Sequence, residues 1–239
     1  AFYTFVRERI MNKNDFRSIT CASCLQRKEN LLSGISDTEL MQMDNHKGCS
    51  FYKKNQSLFL EGSFPRGVFC IHHGKVKIYK RGEEGKEQII HIAKEGELIG
   101  FRAMFAENKY SVSAETLEES TICFIQKDDF LSLLDANPTL RNRILKEMSQ
   151  ELSDRAEFIT NMAQKSVRQR LAFSLLLLKE VYGEKPINLS REDLANFVGT
   201  ATETLIRLLK EFKEEGLVET NVRKIYVSDA KRLLMLVGN

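Results

Sequence analysis

The sequence predicts an α+β chain: an antiparallel β-roll (jelly-roll), one long helix and a C-terminal winged helix-turn-helix. Three observations predict it. Seven of the thirteen glycines lie between Gly62 and Gly100, interleaved with short runs of β-favouring residues. From Thr139 to Ala163 there is no glycine or proline, and apolar residues recur at helical steps. Between Ser190 and Phe212 a capping serine, a glycine turn and a second amphipathic run follow one another.

The β-roll is expected over 31–137. Val68 to Ile71, Val76 to Tyr79, Ile89 to Ile92 and Thr121 to Ile125 are apolar pieces of strand length. Val76 and Ile78 alternate with Lys75 and Lys77, the pattern of a strand buried on one face and solvated on the other. Gly82-Glu83-Glu84-Gly85 supplies a turn between strands. Short strands with close glycine turns imply a small antiparallel barrel or sandwich. Residues 1–30 form a separate N-terminal segment carrying Cys21 and Cys24.

The long helix is expected over 138–165, hinge included. Asn137 can cap it, and Pro138 suits a first helical position. Its stripe is Leu140, Ile144, Met148, Leu152, Ala156, Ile159 and Ala163. A helix about 39 Å long at 1.5 Å per residue is too long to hide one stripe inside a small domain. It either lies across its own barrel or pairs across a dimer axis. The second is the expectation, with Ile144, Met148, Leu152, Ala156 and Ile159 in a homodimer interface. Ser166 then caps a second helix through Val181, making 164–166 a hinge.

The winged helix-turn-helix occupies 166–239. Ser190 caps a short helix, with Asp193 placed to return a carboxylate to the cap. Leu194, Ala195 and Val198 form its inner face, and Gly199 permits the turn. Thr200 or Thr202 opens a second helix with Leu205, Leu208, Leu209 and Phe212 inside. Glu203, Ile206, Arg207 and Lys210 then face solvent. Gly216 to Glu219 and Lys224 to Val227 make a two-strand wing. A second helix so placed enters the major groove of double-stranded DNA. Arg207 can donate a bidentate pair to guanine, Glu203 can accept from cytosine N4, and Ile206 can meet a thymine methyl. Thr200, Thr202, Thr204, Ser190 and Lys210 suit phosphates. Glu203 and Arg207, four apart, could also simply pair with each other.

Composition is that of an ordinary globular protein, with 42% apolar and 29% charged residues. The net charge is only +3, so the DNA expectation rests on residue placement. No apolar run is long enough for a membrane span, and Arg7, Glu8 and Arg9 precede no signal-peptide core. The five cysteines, at 21, 24, 49, 70 and 123, are too irregularly spaced to suggest a disulfide framework. A reducing, cytoplasmic setting is expected. Cys70 sits in an apolar strand as plain core, His72 and His73 point to opposite faces, and His91 is flanked by isoleucines. No nucleophile-base-acid set or phosphate-cradling loop occurs, so no enzyme is expected.

The run Thr-Glu-Thr-Leu-Ile-Arg-Leu-Leu-Lys-Glu-Phe at 202–212 resembles the recognition helix of the CRP/FNR family of bacterial regulators. In that family a Glu, and an Arg four residues later, read a half-site containing a GA step; here these are Glu203 and Arg207. Gly74-Lys75-Val76 resembles the family's barrel glycine motif. Gly96-Glu97-Leu98-Ile99-Gly100 resembles the approach to its effector pocket, and 138–163 its dimer helix. The resemblance implies a cyclic-nucleotide-binding-like roll that senses a small-molecule effector. It also implies palindromic sites and an RNA polymerase contact at the turn around Gly85 and Lys86.

The signal itself is left open. Members that bind cyclic AMP follow the Ile-Gly step with a Glu, and later carry an Arg-Ser or Arg-Thr pair for the phosphate. Here those positions hold Phe101 and, before Ser111, Tyr110. A buried cyclic phosphate without its arginine lacks a charge partner, which argues against cyclic AMP. Arg102 is adjacent but falls on the other face of an extended segment. The adenine-contacting hydroxyls align with Arg155 and Ala156. Gly100, Phe101, Arg102, Tyr110, Ser111 and Arg155 remain the candidate effector pocket.

Phe101, Ala114 to Glu118 and Cys123 resemble the oxygen-sensing branch, which holds an iron–sulfur cluster on four cysteines. Cys21, Cys24 and Cys123 match three of its ligand positions, and Asn30 stands at the other. Cys21 and Cys24 also suit zinc, a redox pair, or no metal. Two alternatives accompany the regulator: a redox- or metal-responsive one using these cysteines, and a cyclic-nucleotide-binding module without DNA activity.

Overall fold

The computed structural model describes residues 19–21, 24, 31–33 and 35–238; Arg7, Glu8, Arg9 and Asn30 lie outside the described residues. The roll begins with α1 (Asp37–His46), capped by Ser36 and Glu39. Then come β1 (Lys47–Tyr52), β2 (Ser57–Phe59), β3 (Gly67–His73), β4 (Val76–Arg81), β5 (Glu87–Ala93) and β6 (Leu98–Ile99). A short α2 (Phe101–Phe105) precedes β7 (Ser113–Thr116) and β8 (Ser120–Gln126). Helix α3 (Lys127–Ala136) leads into the long α4 (Pro138–Gln164). Beyond it lie α5 (Val167–Tyr182), α6 (Arg191–Val198), α7 (Thr202–Glu214), β9 (Val218–Asn221), β10 (Lys224–Val227) and α8 (Ala230–Val237).

Two four-stranded antiparallel sheets, ordered β1-β8-β3-β6 and β2-β7-β4-β5, enclose the roll's apolar filling. Gly74, at φ +99°, turns β3 into β4; a Cβ there would stand 2.1 Å from Ser120 Oγ, so only glycine fits. Asn137 Oδ1 accepts from Leu140 N at 2.9 Å and starts α4 as expected. Helices α1, α2, α3 and α8 were not expected from apolar periodicity; each is no more than ten residues long.

Three expectations need correction. Lys75 and Lys77 do not face solvent: they are 5% and 7% exposed, because α5 and α6 cover the outer face of their sheet. Ile144 is buried in the roll's own core and Met148 packs against it, so neither belongs to an exposed stripe. The outward residues of α4 are instead Leu145, Leu152 and Ile159, at 56%, 72% and 65% exposure, with Ala156 between. Finally, Cys49 and Cys123 form a disulfide. They stand directly opposite in the β1–β8 register, a proximity invisible in their chain spacing.

The roll and the C-terminal domain share one apolar core. Tyr79, Ile89, Ile92 and Leu117 pack in the same cluster as Leu175 of α5, Phe197 of α6 and Phe212 of α7.

Candidate nucleic-acid interface and sensor

Ser190 caps α6: its Oγ accepts from Asp193 N at 2.9 Å and donates to Asp193 Oδ2 at 2.5 Å. The carboxylate thus returns to the cap hydroxyl. Gly199, left-handed at φ 72°, ends α6, and α7 opens at Thr202 rather than Thr200. Leu205, Leu208, Leu209 and Phe212 are buried beneath α7, while Glu203, Ile206, Arg207 and Lys210 are exposed. Thr202 and Thr204 are partly exposed at its first turn. Two expected phosphate contacts are not presented with them. Thr200 is buried, and the Ser190 hydroxyl is occupied by Asp193.

Arg207 pairs with Glu211 rather than Glu203, at 2.7 Å. Glu211 also meets Arg168 of α5 at 3.4 Å, and Arg168 reaches Glu215 at 2.6 Å. Sequence reasoning missed the wing's fastening. Arg191 donates to Val222 O and Arg223 O at 3.2 and 3.3 Å, tying the wing turn to α6 and leaving Arg223 and Lys224 exposed. It also missed Arg170, whose guanidinium donates to Met162 O and Lys165 O at the end of α4. The same group donates to Val198 O and Gly199 O at the end of α6. Such carbonyls have no partner within their own helix, and a planar five-donor group can gather several.

The six candidate effector residues do not form one site. Gly100 and Tyr110 meet inside the roll, where Phe59 stacks on Tyr110 with ring centres 4.0 Å apart and Phe69 lies against Phe124 at 5.0 Å. These rings occupy the interior of the roll around Gly100. Phe101 is buried in the neighbouring cluster, and Ser111 is exposed. Arg102 lies in a helical turn, not an extended segment, and turns to α4, pairing with Glu151 at 2.7 Å. Burial lowers its guanidinium pKa against the opposing field of Glu151. Arg155 lines a cavity of about 430 Å³ between β5, α4 and α5, where Ile90, His91, Phe158, Phe173 and Leu177 stand with the carboxylates Glu97, Glu151, Asp154, Glu157 and Glu180. His91 is held by Glu97 at 2.7 Å. Arg155, half-buried, has no ion-pair partner among the described residues.

The thiols do not fit an iron–sulfur cluster. Cys123 is bonded to Cys49. Cys21 Sγ accepts from Lys47 Nζ at 3.0 Å, and burial pushes its thiol up to about 11. Cys24 Sγ lies 3.4 Å from His72 Nδ1. Cys70 is buried core. Among the described residues, no three His, Cys, Asp or Glu side chains are grouped to hold a metal ion. Nor is any described helix long and apolar enough to cross a membrane.

Residues 50–137 match the cyclic nucleotide-binding domain, and 169–236 match the Crp-like helix-turn-helix domain. The chain is 31% identical over 194 residues to Electron transport regulator A of Shewanella oneidensis, covering 78% of this chain and 77% of that one. It is 30% identical over 219 residues to Regulatory protein HlyX of Actinobacillus pleuropneumoniae, covering 88% and 91%. FixK2 from Bradyrhizobium japonicum shares its fold, with a TM-score of 0.74 at 18% identity over 81% of this chain and 98% of that one.

Proposed function

The chain belongs to the CRP/FNR family of bacterial transcription regulators, and from that premise we propose that it binds palindromic DNA as a homodimer, reading base edges with Glu203, Ile206 and Arg207. The observation that carries this is α7, which buries four apolar residues and presents those three side chains together. Thr202, Thr204 and Lys210 beside them, with Arg223 and Lys224 on the wing, serve phosphates. Leu145, Leu152 and Ile159 recur every seven residues along exposed α4, the spacing of a seam between two helices. In this reading 31–137 senses, 138–165 pairs the copies and 166–239 reads.

The effector belongs in the cavity beside Arg155, whose size suits a small molecule. Its wall sets Ile90, Phe158, Phe173 and Leu177 beside Arg155 and five carboxylates, which suits a small molecule with an apolar body and polar edge groups. The exposed turn at Gly85 and Lys86 is the surface for RNA polymerase. The protein works in the cytoplasm and catalyses nothing itself.

The test is selection of bound duplexes from a random pool by the full-length chain. A two-fold-symmetric site with half-sites about one helical turn apart is expected. Enrichment of an asymmetric site would remove the dimer; no enrichment would remove the DNA reading.

A redox-responsive reading has one observation behind it, the Cys49–Cys123 bond, since cytoplasmic disulfides are mostly redox-linked.

A further inference from the structure

Lys77 of β4 and Lys75, just before that strand, reach out of the roll and into the DNA-reading domain. Lys75 Nζ lies 4.8 Å from the centre of the Tyr182 ring at the end of α5. Lys77 sits among three carboxylates, 3.0 Å from Glu87 Oε2, 3.3 Å from Glu115 Oε1 and 3.0 Å from Asp193 Oδ1. Glu87 and Glu115 belong to β5 and β7, the strands flanking β4. Asp193 belongs to the first turn of α6. Near the far end of α6, the Gln88 side-chain amide donates to Asn196 O at 2.7 Å and Phe197 O at 3.4 Å. The sensor sheet therefore grips α6 at both ends, one grip ionic and one a neutral hydrogen bond.

We propose that Lys77 is a positioning residue for DNA reading, fixing α6, and with it α7, at one angle to the sensor sheet. Apolar packing alone tolerates sliding, whereas a buried ammonium satisfied by oxygens from both domains permits few arrangements. Helices α6 and α7 turn together because Leu194, Val198, Leu205 and Leu209 share one core. Any tilt of β4 and β5 is thereby delivered to the recognition helix. The proposal rests on the dimeric reading above, since the angle of α7 governs affinity when two copies must fit one half-site spacing.

The test uses the full-length chain and duplexes carrying identical half-sites whose separation is changed by one or two base pairs. Asp193→Asn removes the reader's charge but keeps an oxygen for the Ser190 hydroxyl, and Glu87 and Glu115 still neutralise Lys77. This variant should lose about tenfold of the wild-type discrimination between spacings while keeping its single-base preferences within a half-site. Lys77→Arg should retain the discrimination, and Lys77→Met should lose it; if Lys77→Met does not fold, Asp193→Asn decides alone. Unchanged spacing discrimination in Asp193→Asn, with the wild type discriminating, overturns the positioning role and leaves the dimer intact. Equal loss of spacing and base preference overturns it too, by pointing to local damage in α6. A wild type indifferent to spacing sinks the dimeric reading and this proposal together.

Discussion

Arg207 Nη1 stands 2.7 Å from Glu211 Oε1, one turn further along α7, so that it pairs forward along the helix rather than back with Glu203. To meet guanine as proposed, Arg207 must therefore leave an exposed intrahelical pair. Such pairs contribute only about 0.3–0.5 kcal/mol, so release is easy. Arg207→Ala should cost about 1–3 kcal/mol in operator affinity and relax preference at one base pair per half-site. Glu211→Gln should spare specificity and tighten binding slightly. Titrations against the selected site and its single-base variants decide both.

The two flanks of α4 should respond oppositely to a charge. Leu152→Asp lies on the exposed stripe and should give a folded monomer in sedimentation velocity. Ile144→Asp, 3% exposed in the roll's core, should instead unfold the sensor through an unpaired buried carboxylate. A dimeric Leu152→Asp would move the subunit interface elsewhere.

Cys49 and Cys123 are 74 residues apart in sequence, so their bond removes much freedom from the unfolded chain. Chain entropy sets a stabilisation of up to about 4 kcal/mol. Thermal unfolding of the oxidised wild type should be lowered both by reductant and by Cys49→Ser, and reductant should do nothing further to the variant. Insensitivity of the wild type to reductant would show that the bond is absent in solution.

Acid should loosen the roll on a predictable side of the carboxylate range. Burial opposes charge on Glu87, but hydrogen bonds from Arg81 and Lys77 overcome it and hold its carboxyl below 4.5; Lys75 and backbone amides do the same for Glu95. A depressed folded pKa means stability present above the unfolded value and lost as pH falls through the folded one. Denaturant midpoints should therefore fall below about pH 4.5, with a shallower slope in Glu87→Gln.

Much of this is legible in the sequence itself. Ser190, Gly199 and the 205–212 apolar spacing are local signals, since capping, the left-handed turn and helical periodicity depend on neighbours within a few residues. What escaped depends on partners far along the chain. Lys77 looks like a solvated strand residue until α6, more than a hundred positions later, covers it. Ile144 and Leu145 are equally plausible inward residues until the roll fixes the rotation of α4 about its axis. The aromatic filling around Gly100 needed Phe59, Phe69, Tyr110 and Phe124 from four separate segments.

The apolar cluster that joins Tyr79, Ile89, Ile92 and Leu117 to α5, α6 and α7 makes the sequence's modular look misleading. A reader domain cut from this chain would expose the surface that Ile89 and Ile92 now cover, and a chimera with another family member's roll would inherit a mismatched seam. Heating should melt sensor and reader in one cooperative step. Inheritance of new operators would then proceed by changes on the outer face of α7, because wholesale exchange of the C-terminal half would break the joint on which both halves depend.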